Sequence, residues 1–306
     1  MRILAVTPSY PPHSRVGAWL ATHEHLMVLA ERGHHVAVHS PGVVEEYVLD
    51  GVHVAPMGET AATWIHDVDV VVSHHGDLVT KAAEYAQARG VPSVVLAHGA
   101  TKGHTKPPAD LVVFNAESNR VKRWGTSIVC RPHTRHSQHV ASRGEHVTLL
   151  NCSLAKGVAT FRAVAQRMPE HQFLAVKGDY GPQERIATRN ARTISSTANL
   201  RRHVWSQTRV LLMPSESETW GMAGVEAMCS GIPVIAHPTP GLKESLGDAG
   251  IFVDRDDIDG WVEQLVRLDD VREYAAASTA ASRRAAELCD RSGPTLFADT
   301  IEEMFG

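Results

Sequence analysis

Residues 210–236, VLLMPSESETWGMAGVEAMCSGIPVIA, contain two short apolar runs separated by a polar loop and a stretch of helical character. The runs at 210–213 and 233–236 consist mainly of aliphatic residues, several of them β-branched, which is typical of buried strands. Residues 220–229 lie between them and are predicted to form a helix. A strand, a helix and a second strand in this order predict a parallel sheet that is covered by helices.

The same alternation extends over most of the 306 residues, in two series. The first series predicts strands at 3–7, 35–39, 68–73, 93–97, 111–114 and 127–130, with helices near 18–32, 77–89 and 116–124. The second predicts strands at 147–151, 173–176, 192–195, 210–213 and 233–236, with helices near 157–168, 198–206, 220–229 and 241–247. Residues 256–304 are predicted to be helical, in two or three pieces with a break near Gly293-Pro294.

The two series predict an α/β fold of two Rossmann-like parallel-sheet domains that face each other across a cleft. The polar, basic stretch 132–146 has no apolar periodicity and is interpreted as a linker. We therefore expect an N-terminal domain at 1–140 and a C-terminal domain at 141–290. Residues 291–306 are expected to form a helix that packs back on the N-terminal domain.

The composition is that of a globular protein, with 43% hydrophobic residues and a net charge of −4. The charge is uneven, because 118–144 and 185–209 each contain six Lys or Arg and no acid. These basic stretches either bind an anionic ligand or are solvated faces, and the sequence leaves both interpretations open. No signal peptide, membrane-spanning stretch or CxxC pair is recognisable, so we expect a reduced, cytoplasmic protein.

Two acids, Glu218 and Glu226, flank the predicted start of the helix at 220–229. Glu218 lies in the loop before the helix, and Glu226 lies about two turns into it. The first-turn N–H groups have no partners within a helix and form a favourable seat for a diphosphate. A carboxylate two turns in can reach ribose hydroxyls, and one in the preceding loop can hold sugar hydroxyls. The spacing alone favours two glutamates that merely cap or solvate an exposed helix.

The segment 214–236 resembles the Glu–seven residues–Glu motif of retaining glycosyltransferases of family four, which have the GT-B architecture. Three further stretches agree with this family in order and spacing. Residues 10–38 resemble its opening strand, glycine-containing loop and helix, and 149–161 resemble the first strand and helix of its donor domain, with a Lys-Gly pair. Residues 231–254 resemble its closing strand, glycine turn and helix. The resemblance covers nearly the whole chain.

The resemblance implies a role for each matching residue. Glu226 would bind the donor ribose, Glu218 the transferred sugar, and Lys156 the diphosphate oxygens. Gly17 would permit close approach of the backbone to the diphosphate, because it has no side chain. Asn151 is also an implied donor-binding residue, and Asn151-Cys152 stands where many relatives carry Gly-Arg. The residues implied to lie beneath the phosphate and the sugar are Trp220, Gly221, Met222 and Ala223.

Histidine is abundant, with 19 residues. His98 follows the predicted strand at 93–97, which places it at the cleft edge of the first sheet. The resemblance implies that His98 contacts the sugar or the acceptor near the anomeric carbon, as a catalytic residue together with Glu218. His34 and His139 are expected at the surface. No HExxH or comparable ligand spacing occurs, so no metal site is expected.

The family resemblance implies a glycosyltransferase that moves a sugar from a nucleoside diphosphate sugar, UDP- or GDP-linked, to an acceptor hydroxyl. Retention of configuration and independence of metals or other cofactors are implied in the same way. A nucleotide-sugar epimerase on the same scaffold and a non-catalytic sugar-nucleotide-binding protein remain alternatives. The acceptor is open between a small molecule, a lipid, a protein and a polyanion such as DNA with hydroxymethylated bases, which would bind basic stretches electrostatically.

Overall fold

The structure is a computed structural model that describes residues 1–58, 67–74, 76, 78–99, 105–179 and 181–306. The chain divides into two compact units. The first consists of Met1–His133 and Arg291–Gly306, and the second of Thr134–Asp290. Residues 134–140, which the sequence assigned to the first domain, belong to the second unit, where Ala141 N–H donates to Ser230 Oγ at 2.9 Å.

Within the described residues, the first unit contains an eight-stranded sheet in the order β3-β4-β2-β1-β5-β6-β7-β8. All neighbours are parallel except β3 and β4. The strands are β1 (Arg2–Val6), β2 (His35–Ser40), β3 (Tyr47–Leu49), β4 (Val52–Pro56), β5 (Val70–His74), β6 (Ser93–Ala97), β7 (Leu111–Phe114) and β8 (Ser127–Val129). The helices are α1 (Gly17–Glu31), α2 (Val79–Arg89) and α10 (Ser292–Phe305).

The core of the first unit includes side chains from both ends of the chain. Aliphatic residues of the central strands and of α1 pack together with Phe297, Ala298 and Ile301 of α10, all fully buried. The ring of His25 on α1 stacks on Phe297, with centroids 5.0 Å apart. Helix α10 is therefore part of the apolar core of the unit that begins at Met1.

The second unit contains a six-stranded, all-parallel sheet in the order β11-β10-β9-β12-β13-β14. Its strands are β9 (His146–Leu150), β10 (Phe173–Val176), β11 (Ala191–Ile194), β12 (Thr208–Met213), β13 (Val234–Ala236) and β14 (Gly250–Phe252). Its helices are α3 (His136–His139), α4 (Val158–Arg167), α5 (Leu200–His203), α6 (Met222–Met228), α7 (Pro240–Leu246), α8 (Ile258–Arg267) and α9 (Val271–Leu288). The strand order reverses between β9 and β12, and ligands bind at such a switch point.

One helix prediction was wrong. Residues 116–124 form no α-helix but two short 3₁₀ turns, Glu117–Asn119 and Lys122–Trp124. Extended backbone at Arg120 separates the turns, and the Asn119 amide donates instead to the carbonyl groups of Ala97 and Gly99.

The expected break at Gly293-Pro294 lies earlier, because α9 ends at Leu288 and α10 begins at Ser292. Pro294 is therefore in the first turn of α10, where a missing N–H costs no hydrogen bond. The expected helix at 77–89 begins in the described residues at Val79, and Asp77 lies outside them.

Candidate functional site

Lys156 and Glu218 meet at the switch point between β9 and β12. Lys156 precedes α4, and its ammonium group forms an ion pair with the Glu218 carboxylate. The two side chains retain 22% and 13% of their exposure, so the pair is largely shielded from solvent. Gly157 has a φ of 85°, and a Cβ on it would lie 2.4 Å from the Pro214 carbonyl oxygen. Only glycine fits there, and this fixes the Lys156 turn against the end of β12.

The loop that carries Glu218 is fixed by its neighbours. Ser215 Oγ donates a hydrogen bond to Glu218 Oε1 at 2.9 Å, and Glu216 N–H donates to the Ala155 carbonyl at 2.8 Å. A Cβ on Gly241 would lie 2.3 Å from the Glu218 carbonyl oxygen, so the start of α7 packs directly on this loop. Ser215 was missed from the sequence, because a serine in a polar loop carries no distinguishing signal.

Helix α6 begins where the Glu–seven residues–Glu segment predicted. Gly221 is its N-cap, with a φ of 81°, and a Cβ there would lie 2.4 Å from Leu242 Cδ2. Met222 and Ala223 form the first turn, and Trp220 before them is buried at 2% exposure. The glycine thus lets the chain turn tightly from the Glu218 loop into α6.

Glu226 lies in the second turn of α6 and is 6% exposed. No hydrogen bond or ion pair from another described side chain reaches its carboxylate. Burial raises the pKa of Glu226, and His139 opposes this effect. Because a buried carboxylate without a partner is costly, the position suits a ligand that donates hydrogen bonds to it.

Comparison with known proteins shows what this segment is similar to. Residues 153–270 match the family model of glycosyl transferases group 1. The D-inositol 3-phosphate glycosyltransferase of Mycolicibacterium smegmatis is 36% identical over 87 residues, which are 28% of this chain and 20% of that protein. The O-antigen chain mannosyltransferase B of Escherichia coli is 33% identical over 78 residues, 24% of this chain and 20% of that protein.

Residues 153–270, less than half of this chain, are similar to group 1 glycosyl transferases. The resemblance inferred from the sequence is confirmed for this segment. The matches with the two curated relatives each span about a fifth of the relative's length.

Solved structures confirm the fold class. Sucrose-phosphate synthase from Thermosynechococcus elongatus matches with a TM-score of 0.80 at 14% identity, over 100% of this chain and 99% of that chain. Anabaena HepE in complex with UDP-glucose matches with a TM-score of 0.80 at 14% identity, over 99% of this chain and 100% of that chain. The α/β fold with two Rossmann-like parallel-sheet domains is that of GT-B glycosyltransferases, as expected from the sequence.

Asn151 forms a polar network at the end of β9, two residues before the segment that matches the glycosyl transferase model. Its backbone has a φ of 68°, and its Oδ1 accepts hydrogen bonds from Ser153 N–H at 3.1 Å and Gln183 Nε2 at 3.0 Å. Gln183 Oε1 in turn accepts from the N–H groups of Cys152 and Gly178. Asn151 therefore shapes the backbone at this edge of the sheet. Gln183 was missed, although the surrounding KGDYGPQ suggests a turn-rich loop.

Gly17 and His98 are neighbours in the first unit. Gly17 begins α1, and His98 Nδ1 is 3.2 Å from the carbonyl oxygen of the next residue, Ala18. A carbonyl only accepts, so Nδ1 carries the proton and Nε2 is the acceptor nitrogen of the neutral ring. Burial, and then the neighbouring His25, lower the pKa of His98 to about 3.

The expectation that His34 and His139 are plain surface residues was wrong. His34 Nε2 is 2.8 Å from a Glu302 carboxylate oxygen, and its side chain is 14% exposed. His139 is half-buried and accepts a hydrogen bond from Trp205 Nε1 at 3.3 Å. Both histidines contact residues that are distant in sequence. Such contacts cannot be predicted from the residue types near each histidine.

Two negative findings concern only the part of the chain that the structure describes. No group of three or more His, Cys, Asp or Glu side chains is arranged to hold a metal ion. None of the helices there combines the length and the apolar character that crossing a membrane requires.

Proposed function

We propose that the protein is a glycosyltransferase that moves a sugar from a UDP- or GDP-linked donor to an acceptor hydroxyl, with retention of configuration and without a metal cofactor. The observation that carries this proposal is the Lys156–Glu218 ion pair at the switch point of the second sheet, with the buried Glu226 in the helix that follows β12. The family match of residues 153–270 supports sugar transfer as the chemistry of this domain. The donor type is consistent with the UDP-glucose bound to the structurally similar HepE.

In this proposal, donor binding exchanges partners within the ion pair. The Lys156 ammonium contacts the diphosphate, which releases the Glu218 carboxylate to accept hydrogen bonds from hydroxyls of the transferred sugar. Both groups then keep a charged or polar partner, so neither charge is left unpaired. Ser215, which donates to Glu218 Oε1, holds the carboxylate in place during the exchange.

Glu226 binds the ribose in this proposal. Its carboxylate is buried within α6 and lacks a side-chain partner among the described residues. Two vicinal hydroxyls are suitable donors to one carboxylate, since its two oxygens accept them together. Hydrogen bonds to a charged acceptor contribute about 1.5–3 kcal/mol each, which is enough to fix the nucleoside.

Departure of the nucleoside diphosphate develops negative charge on the leaving group and positive charge on the anomeric carbon. Lys156 stabilises the first without a metal, because its charge is already in place before the reaction. The leaving phosphate takes the proton of the acceptor hydroxyl on the same face of the sugar, which gives retention. His98 contributes as a neutral hydrogen-bond acceptor in the first unit, with its Nε2 directed to a hydroxyl of sugar or acceptor.

The test begins with donor identification. Purified protein is screened against UDP- and GDP-linked sugars by thermal shift, since a ligand that binds the folded state raises Tm by mass action. The preferred donor is then incubated with EDTA present or absent, and the products are separated. Transfer or slow hydrolysis that is insensitive to EDTA is expected. Isomerised donor would indicate an epimerase, and tight binding without turnover would indicate a non-catalytic protein.

Three variants test the roles of the residues. Lys156→Ala and Glu226→Gln should weaken donor binding by roughly tenfold or more, the loss of one hydrogen bond to a charged group. Glu218→Gln should mainly lower kcat. Exposed residues provide matched controls, Lys81→Ala for the lysine and Glu263→Gln for the glutamates. If the rate of sugar transfer were unchanged in both Lys156→Ala and Glu218→Gln, the assignment of these residues to the active site would be wrong.

A further inference from the structure

Two of the four cysteines lie in contact inside the second unit. Cys229 follows the last turn of α6, and Cys289 follows the last turn of α9. Their Sγ atoms are 3.4 Å apart, although 60 residues separate them in sequence. Both thiols are free, as are those of Cys130 and Cys152. The pair was not predicted from the sequence, because its spacing matches no cysteine motif.

The packing of α6 against α9 brings the two sulfur atoms together. The facing residues of α9 are small, with Ala281 and Ala285 fully buried in the same apolar cluster as Cys229. A Cβ on Gly231 would lie 2.8 Å from the hydroxyl oxygens of Ser278 and Ser282 on α9. Small residues on α9 and Gly231 after α6 therefore allow the two helices to approach closely.

The two thiols differ in chemical character. The hydrogen bond between them raises the pKa of Cys229 and lowers the pKa of Cys289. Cys289 is therefore the first to ionise, and it is also the more accessible of the two, since Cys229 is buried. The thiolate is the reactive form of cysteine, so an oxidant attacks at Cys289.

We propose that Cys229 and Cys289 form a dithiol that hydrogen peroxide oxidises to a disulfide, and that this bond changes donor binding at α6. Cys289 releases its proton, the resulting thiolate attacks one peroxide oxygen, the O–O bond breaks, and the departing hydroxide takes up the proton released by Cys289 to give water. The sulfur of Cys229 then attacks the resulting sulfenic acid, the S–O bond breaks, and a second water leaves with the Cys229 proton. Two electrons pass from the sulfur atoms to the peroxide.

The disulfide is expected to shift α6, because a short helix moves when its end is displaced. An S–S bond is about 2.05 Å long, so its formation draws the end of α6 toward α9. It also removes the hydrogen bond from the Cys229 thiol to the Val225 carbonyl, at 3.4 Å. Glu226 lies within this seven-residue helix, three residues before Cys229. The effect on donor binding rests on the proposed function, which assigns Glu226 to the ribose, whereas disulfide formation does not.

The experiment uses the full-length protein, first reduced and then treated with a small excess of hydrogen peroxide. Non-reducing digestion and mass spectrometry should identify one cross-linked peptide pair, containing Cys229 and Cys289, with Cys130 and Cys152 still reduced. Oxidation should raise the Tm of the second unit by several degrees, because the bond closes a long loop in the unfolded chain. Dithiothreitol should reverse both changes, and Cys289→Ser should show neither.

Donor affinity is measured with UDP and GDP in the reduced and oxidised protein and in Cys289→Ser. We expect a change in Kd of about fivefold or more on oxidation, which is a typical coupling between two sites, and none in the variant. A disulfide with unchanged donor affinity would overturn the regulatory role. Oxidation of Cys289 to sulfinic acid without a cross-link would overturn the dithiol itself. Absence of nucleotide binding in the reduced protein would contradict the proposed function. Whether the disulfide forms would then be decided by mass spectrometry and by the change in Tm alone.

Discussion

Acidification from pH 7 to pH 5 is expected to destabilise the first unit through His25. This ring is fully buried against Phe297, and neither of its nitrogens has a hydrogen-bond partner among the described residues. Burial lowers the pKa of His25 from 6.5 to about 4. The folded protein therefore binds fewer protons than the unfolded chain between these pH values. Stability is complete above the unfolded pKa and is lost as the pH falls toward the folded pKa.

The size of this effect follows from the two pKa values of His25. At pH 5 the unfolded ring is almost fully protonated, whereas about a tenth of the folded rings are. The linkage relation then gives a loss of about 2 kcal/mol relative to neutral pH. His98 adds to the loss, because burial lowers its pKa to about 3 and its ring lies 6.1 Å from that of His25. Two positive charges at that separation repel each other.

The measurement is the free energy of opening of β1 and β5, obtained from hydrogen exchange at pH 7 and pH 5 in wild type and in His25→Leu. The variant should lose about 2 kcal/mol less than wild type between the two pH values. A constant packing cost of the substitution cancels in this difference. His136→Leu, at an exposed position of the second unit, is the control and should follow wild type. An identical pH dependence of His25→Leu and wild type would refute the assignment of the effect to this ring.

Three further substitutions, with Gly33→Ala as a control, test the local geometry. Gly157→Ala should unfold at lower Tm and bind donor more than tenfold less tightly, because its Cβ would collide with Pro214 and displace Lys156. Gly33→Ala has a similar positive φ but nothing within 4 Å, so it should lose only about 1 kcal/mol of stability and no donor affinity. Asn151→Ala should cost about 2 kcal/mol in urea unfolding, from backbone strain at φ 68° and lost hydrogen bonds. Asp270→Ala removes the cap of α9 and should lower the unfolding free energy by about 1 kcal/mol without affecting donor binding.

Periodicity predicted the buried strands of both sheets well, because residues such as those of β5 and β12 are apolar on both faces. It missed the hairpin of β3 and β4, whose strands alternate exposed and buried residues only partly. The turn between them, Asp50-Gly51, has φ values of 47° and 81° at the two residues. An Asp-Gly pair between two strands is itself a hairpin signal. The sequence prediction did not use this signal.

The candidate site was predicted as a set of residues but not as a set of contacts. Lys156 and Glu218 were named from motifs 62 residues apart, and their ion pair exists only because β9 and β12 are neighbours in the sheet. Ser215 and Cys289 carry no motif, since their roles depend on which side chain lies opposite. These contacts depend on how helices and strands pack together, so no single stretch of sequence predicts them.

The discontinuous first unit has a consequence for the order of events at the ribosome. Residues 134–290 are contiguous and are synthesised together with everything their sheet requires. The first unit instead buries Phe297 and Ile301 in its core, and these residues belong to a helix that is made after the second unit. The amino-terminal strands must therefore wait with an uncovered apolar surface until residues 292–305 have emerged. Nascent chains halted before that helix should engage chaperones at the amino-terminal half while the later half is already protease-resistant.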